Sequence, residues 1–247
     1  MAISRVTGQQ TGETTFESTT IYVAYPGNVT AGNLLIIGVA SWTGGTGRAP
    51  IAGDFSKSGT CTLGTVACDV SDSYEYTMNS WECTAIYSVP VTGTGSCTVT
   101  ISNLPTGSWS VIGIEEVSGA DVSASRLDGT PLVVHQTTTT APDTGTIAST
   151  DGALFFGVLN LGDASAVITI MPDGAFTQIY EQEDAANFGS GSIIDRIVTT
   201  STTDSASWTL GTAKTVISLL AVYKAAAGAT LALNISTWDS ACFNRIT

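Results

Sequence analysis

Only one histidine, His135, occurs in the 247 residues, so any Ser/His/Asp or Cys/His nucleophilic device has to use it. It lies in Leu132-Val133-Val134-His135-Gln136-Thr137, which alternates like a strand. No serine carries a G-x-S-x-G elbow and no cysteine a nucleophile context, so His135 reads as a strand histidine. Carboxylates were the next candidates. Glu115 and Glu116 are adjacent on a predicted strand and point to opposite faces, so they cannot attack one glycosidic bond together. Glu181, Glu183 and Asp184 cluster, with Glu181 and Glu183 on one face. They read as a solvated acidic edge, with Ca²⁺ as the functional alternative. Asp69 and Asp72, in Cys68-Asp69-Val70-Ser71-Asp72-Ser73, form a second Ca²⁺ candidate, because oxygen ligands on a loop suit that ion. No other cofactor is expected.

Two aromatic groups could stack on sugar rings. Trp42 opens the loop Thr43-Gly44-Gly45-Thr46-Gly47, and Tyr74, Tyr76 and Trp81 form the second group. Core or interface anchoring is the alternative for both. The five cysteines are Cys61, Cys68, Cys83, Cys97 and Cys242. Their spacing lacks the short paired gaps of a zinc site. Disulfides among the first four and buried thiols both remain open, with no connectivity implied. Cys242 could pair between subunits.

These residues sit on a chain built for strands. Apolar residues make up 43%, charged residues only 12%, and mean hydropathy is +0.26. Solubility must come from Ser, Thr, Asn and Gly, which suits short strands and tight turns. The net charge of −13 disfavours phosphate backbones and anionic membranes, so neither nucleic acid nor membrane is an expected partner. The acidic excess reads mainly as solvated surface. Residues 1–10 contain no apolar signal-peptide core, and no run reaches transmembrane length. Synthesis in a cytosol is expected.

One signature occurs twice. Ala31-Gly32-Asn33-Leu34-Leu35-Ile36-Ile37-Gly38-Val39 is echoed by Asp151-Gly152-Ala153-Leu154-Phe155-Phe156-Gly157-Val158-Leu159. Each is a turn pair followed by a strand-forming apolar run. Further strands are expected at 14–18, 20–24, 60–66, 80–89, 97–102 and 108–117. In the second half they are expected at 132–137, 166–170, 176–183, 190–198, 206–210 and 215–223. Residues 80–89 and 97–101 read as a hairpin across Thr92-Gly93-Thr94-Gly95. The expected fold is an all-β, jelly-roll-type antiparallel sandwich over 1–228. It has two related halves, about 1–128 and 129–228, whose strands interleave in one sandwich. Residues 229–247 read as a C-terminal extension with Trp238, Cys242 and Phe243 as apolar anchors for the same or a neighbouring subunit.

The repeated strand signature, Glu115-Glu116-Val117-Ser118-Gly119 and the closing run Val216 to Tyr223 resemble a family of jelly-roll modules found in tailed-phage virion proteins and some bacterial surface proteins. The resemblance spans roughly residues 10–228 and carries no site residues. It implies a non-enzymatic role on a virion surface, as a head decoration, cement or fibre-base subunit. The expected partners are other virion proteins and further copies of the chain, with a trimer as the working guess. The alternative is a carbohydrate-binding adhesin module on a tail fibre, with a host glycan as partner.

Overall fold

The computed structural model describes residues 2–43, 47–77, 80–104, 109–161, 170–182 and 190–227, excepting the side chains of residues 43, 76, 77 and 80. The fold is all-β: antiparallel sheets packed face to face. In the first half the strands are β1 (Ser4–Phe16), β2 (Ile21–Ala24), β3 (Leu34–Thr43), β4 (Phe55–Ser58), β5 (Thr62–Leu63), β6 (Ala67–Thr77), β7 (Ser80–Gly93), β8 (Thr98–Ile101) and β9 (Trp109–Ser118). The second half supplies β10 (Leu132–Thr139), β11 (Ile147–Ala148), β12 (Leu154–Leu161), β13 (Ile170–Pro172), β14 (Thr177–Gln182), β15 (Ser190–Ile197), β16 (Thr203–Asp204), β17 (Trp208–Leu210) and β18 (Lys214–Tyr223).

The sheets form four layers. The order β1-β9-β3-β7, with β6 beyond β7, makes one large sheet. The order β10-β18-β12-β15-β14 makes the other. The outer sheet β2-β8-β4 covers the first, and the short pairs β11-β16 and β13-β17 cover the second. Side-chain alternation sorts the core accordingly. Leu35, Ile37 and Val39 of β3 face the outer sheet with Ile21, Val23, Val99 and Ile101. Leu34, Ile36 and Ala40 face the second large sheet. On β12, Leu154, Phe156 and Val158 face the first large sheet, while Phe155, Leu159 and Leu161 face Trp208 and Leu210. Both strands are buried on two faces, which is why their sequences are unbroken apolar runs.

Each sheet draws its strands from one half of the chain. The expected interleaving is therefore corrected: the halves meet face to face and exchange no strand. The two large sheets have the same order, with β1, β9, β3, β7 and β6 matched by β10, β18, β12, β15 and β14. Their contacts are reciprocal. β1 lies on β14 and β6 on β10; β9 lies on β15 and β7 on β18; β3 crosses its own counterpart β12. This is the pattern of a two-fold dimer interface, here within one chain.

The central crossing is tight. Gly12 is paired with Gly113 and Gly113 with Gly38, so a row of three glycines runs across β1, β9 and β3. A Cβ on Gly38 would lie 2.7 Å from the Val158 methyl, and one on Gly113 would lie 3.0 Å from Ile193 Cβ. The missing side chains form the hole that the second sheet fills. Polar groups lock the same seam. Asn160 Nδ2 donates to Ser41 O at 2.9 Å, Thr84 Oγ1 at 2.9 Å and Cys83 O at 3.3 Å, all fully buried. Replacing Asn160 with leucine strands these acceptors, so urea denaturation should show a loss of about 2 kcal/mol.

The expected 80–89/97–101 hairpin is also corrected. β7 pairs with β3, β5 and β6, whereas β8 pairs with β2 and β4 in the outer sheet. The segment 94–97 carries the chain from one layer to the other. The strand expected at 166–170 falls mostly outside the described residues.

Candidate functional site

The structure places the candidate sugar-stacking residues on both faces of the first large sheet. Trp42 lies opposite Glu82 and Trp109, and Tyr74 also lies opposite Glu82, so these share the face toward the second half. Trp81 lies opposite Thr43 and points to the other face, where it packs at Gly47. Tyr74 is half-buried, with its ring 4.6 Å from that of His135. The Tyr76 side chain lies outside the described residues, as do Trp238, Cys242 and Phe243. His135 Nε2 hydrogen-bonds Asp72 Oδ2 at 2.5 Å, which ties β10 to β6 across the seam.

Asp69 and Asp72 stand on strand β6, not on a loop. Asp69 accepts a 2.6 Å hydrogen bond from the buried Tyr223 hydroxyl, and burial raises its pKa. Glu181 is half-buried on β14, and Glu183 and Asp184 lie outside the described residues. Among the described residues, no three His, Cys, Asp or Glu side chains converge as a metal site.

Five described carboxylates, Asp54, Glu82, Glu115, Glu116 and Asp195, are buried, while the other described ones are exposed or half-buried. Glu115 and Glu116 do take opposite faces. Glu116 accepts from the Thr30 amide at 2.7 Å and Asn33 Nδ2 at 2.6 Å. Glu115 accepts from Gln10 Nε2 at 3.0 Å and faces Asp195 across the seam. Arg5 Nε meets Asp195 Oδ2 at 2.5 Å. Burial pushes Glu115 well above the usual carboxylate range, Asp195 adds to this, and Gln10 and Arg5 oppose it. Burial likewise raises Asp195 despite Arg5. At Asp54, burial is outweighed by hydrogen bonds from Arg48, the Ile51 amide and Asn103, so its pKa falls. Asp54, Glu115, Glu116 and Asp195 are each held by partners within the fold.

One side of the first half places two sheet edges and two exposed aromatics together. β1 edges its large sheet and β2 edges the outer sheet, and the two edges lie side by side. Glu17, at φ 52°, and the Ser18–Thr20 turn join them. Two aromatic residues flank that turn and are largely exposed, Phe16 at 50% and Tyr22 at 66%. Alternation explains Tyr22: Ile21 and Val23 fill the core, so Tyr22 must point outward. Beside it lies a depression of about 200 Å³ lined by Glu13, Thr14, Thr15, Thr20, Ile21 and Tyr22. Thr14 Oγ1 is hydrogen-bonded to Tyr180 Oη at 3.1 Å and Gln182 Oε1 at 3.2 Å, which anchors this edge to β14. Sequence reasoning missed both aromatics, since neither Phe16 nor Tyr22 belongs to a motif.

Compared with known proteins, the chain matches no family model, no curated protein and no solved structure.

Proposed function

We propose that this chain is a non-enzymatic structural subunit of the surface of a phage-like particle, a head decoration, cement or fibre-base protein that joins its neighbours through the β1–β2 side. The observation that carries the reading is the pair of exposed aromatics on two unpaired edges. An edge strand offers free N–H and C=O groups, and exposed aromatic area beside it favours association. β1 limits uncontrolled pairing by a register break between Arg5 and Gln10 and by the charge of Glu13. The stretch from Gln10 to Phe16 keeps a continuous register and is long enough to receive a partner. Repetition around a particle would multiply a weak contact by multivalency.

The finer fold reading, a jelly-roll-type sandwich over 1–228, draws support from the connections within a half. With β5 and β6 counted as one strand, the large sheet of the first half runs 1-8-3-6-5 and the outer sheet 2-7-4. Seven of these eight strands follow the winding of two Greek keys, while the fifth extends the large sheet instead of the outer one.

A glycan-binding adhesin is the second reading. It is favoured by the depression beside Tyr22, where threonine hydroxyls and the Glu13 carboxylate flank an aromatic face. One pair of variants separates the two. Phe16→Asp with Tyr22→Ser should convert an assembled chain to monomer in light scattering, with the circular dichroism spectrum unchanged. A wild-type monomer at every concentration, with glycan-array binding that Tyr22→Ser abolishes, would replace the structural reading with the adhesin.

A further inference from the structure

The four described cysteines are free thiols in the structure, and the backbone brings Cys61 and Cys97 together. Cys61 and Cys97 are 1% and 2% exposed and belong to one apolar cluster with Tyr25, Val29, Val91 and Val99. Their backbones run side by side. The Cys61 amide donates to Ser96 O at 3.0 Å, the Thr60 amide donates to Ser96 Oγ at 3.2 Å, and the Ser96 amide donates to Thr60 Oγ1 at 3.0 Å. Both thiols are buried in that one cluster, close enough for Cys61 to raise the pKa of Cys97. Cys68 and Cys83 cannot pair in the same way. In the β6–β7 ladder, Cys68 lies opposite Tyr87 and Cys83 opposite Ser73. Four residues of β7 separate those positions, about 13 Å at strand rise, beyond the roughly 7 Å Cα limit of a disulfide.

We propose that Cys61 and Cys97 form a structural disulfide when the chain folds under oxidising conditions, leaving Cys68 and Cys83 as thiols. The bond would tie the turn before β5 to the segment 94–97 that crosses between layers, and so fasten the outer sheet to the large one. With glutathione disulfide as oxidant, one cysteine thiolate attacks a glutathione sulfur and releases one glutathione. The second cysteine then attacks the protein sulfur of the mixed disulfide and releases the other. Two thiols lose two electrons and two protons, and two molecules of reduced glutathione carry them away. Timing follows from burial. Desolvation, with the neighbouring Cys61, pushes Cys97 up to about 12, so the folded reduced chain holds almost no thiolate there. Exchange therefore belongs to folding, and the finished bond resists reductants that cannot enter the core. This inference stands apart from the assembly proposal and needs no partner.

The test refolds the full wild-type chain from denaturant in a glutathione redox buffer, blocks free thiols in denaturant, and maps the peptides by mass spectrometry. The expected result is a linked peptide pair containing Cys61 and Cys97, with Cys68 and Cys83 blocked. The oxidised chain should melt about 5–10 °C above the reduced one. Blocking of both Cys61 and Cys97, or a link from either to Cys68, Cys83 or Cys242, would overturn the proposal. The mapping needs no variant, so a misfolded Cys61→Ser chain would not confuse it.

Discussion

Gly38→Val should destabilise the chain by about 3 kcal/mol, while Gly38→Val with Val158→Gly should recover much of the loss. The reason lies at the centre of the molecule. β3 crosses β12 there, and the register makes Gly38 and Val158 counterparts: Leu34 pairs with Val117 as Leu154 pairs with Tyr223, and each counterpart lies four residues further on. One position on the two-fold thus holds a glycine in one half and a valine in the other. Glycine costs strand stability, so its presence needs a reason. A Cβ at Gly38 would be 2.7 Å from Val158, 3.0 Å from Phe156 and 3.1 Å from Ile193. Overpacking a core by several methyl groups costs about 1–3 kcal/mol, and here every neighbour is itself buried. Gly64→Ala is the control, because its Cβ would meet Pro90 at an ordinary 3.5 Å. Urea denaturation of the four proteins decides the matter. Equal stabilities for Gly38→Val and Gly64→Ala would mean that the seam is loose.

Loss of the Arg5 guanidinium should be the other large effect. Asp195 is fully buried with Arg5 as its ion-pair partner, and Glu115 faces it. Removing one member of such a pair leaves an uncompensated buried charge, so Arg5→Ala should cost about 3 kcal/mol near neutral pH. The pH dependence has a definite sign. Glu115 and Asp195 have folded pKa values above their unfolded ones, so the folded state holds protons more tightly. Their contribution is fully present below the unfolded values near pH 4 and is lost as pH rises through the folded values. Asp69 acts in the same direction. Asp54 acts oppositely: its contribution is lost as pH falls through its lowered pKa. Stability should therefore peak in mild acid and decline toward pH 8. Glu115→Gln should remove most of that decline and exceed the wild type at pH 8. Parallel curves for the two proteins between pH 5 and 8 would contradict the assignment.

The strands buried on both faces were legible in the sequence. β3, β9, β12 and β18 are apolar runs because neither face meets water, and the repeat of 31–39 at 151–159 marks the two counterpart strands that cross. β1 was legible only at its end. Its sequence, Ser-Arg-Val-Thr-Gly-Gln-Gln-Thr-Gly-Glu-Thr-Thr-Phe, has few apolar residues because an edge strand buries little. Gly12 looks like a strand breaker there, but the ring of Tyr180 occupies the place of its side chain. β6 was hidden for a related reason: its polar residues face the seam and bond there, as Asp69 and Asp72 do. The pairing of β7 and β8 was misread because alternation fixes a strand's faces and not its partner. Closure of the sandwich chooses the partner, and that information is spread over β2, β3 and β4. The Phe16–Tyr22 side was illegible because exposure belongs to the fold, not to a residue type.

The role proposed for the β1–β2 side is tested most directly by hydrogen exchange on the chain, dilute and assembled, read peptide by peptide. Assembly through this side should slow exchange across residues 10–24 and leave β12 and β18, already buried, unchanged. Protection appearing instead at β10 or β14, or none anywhere on assembly, would contradict it.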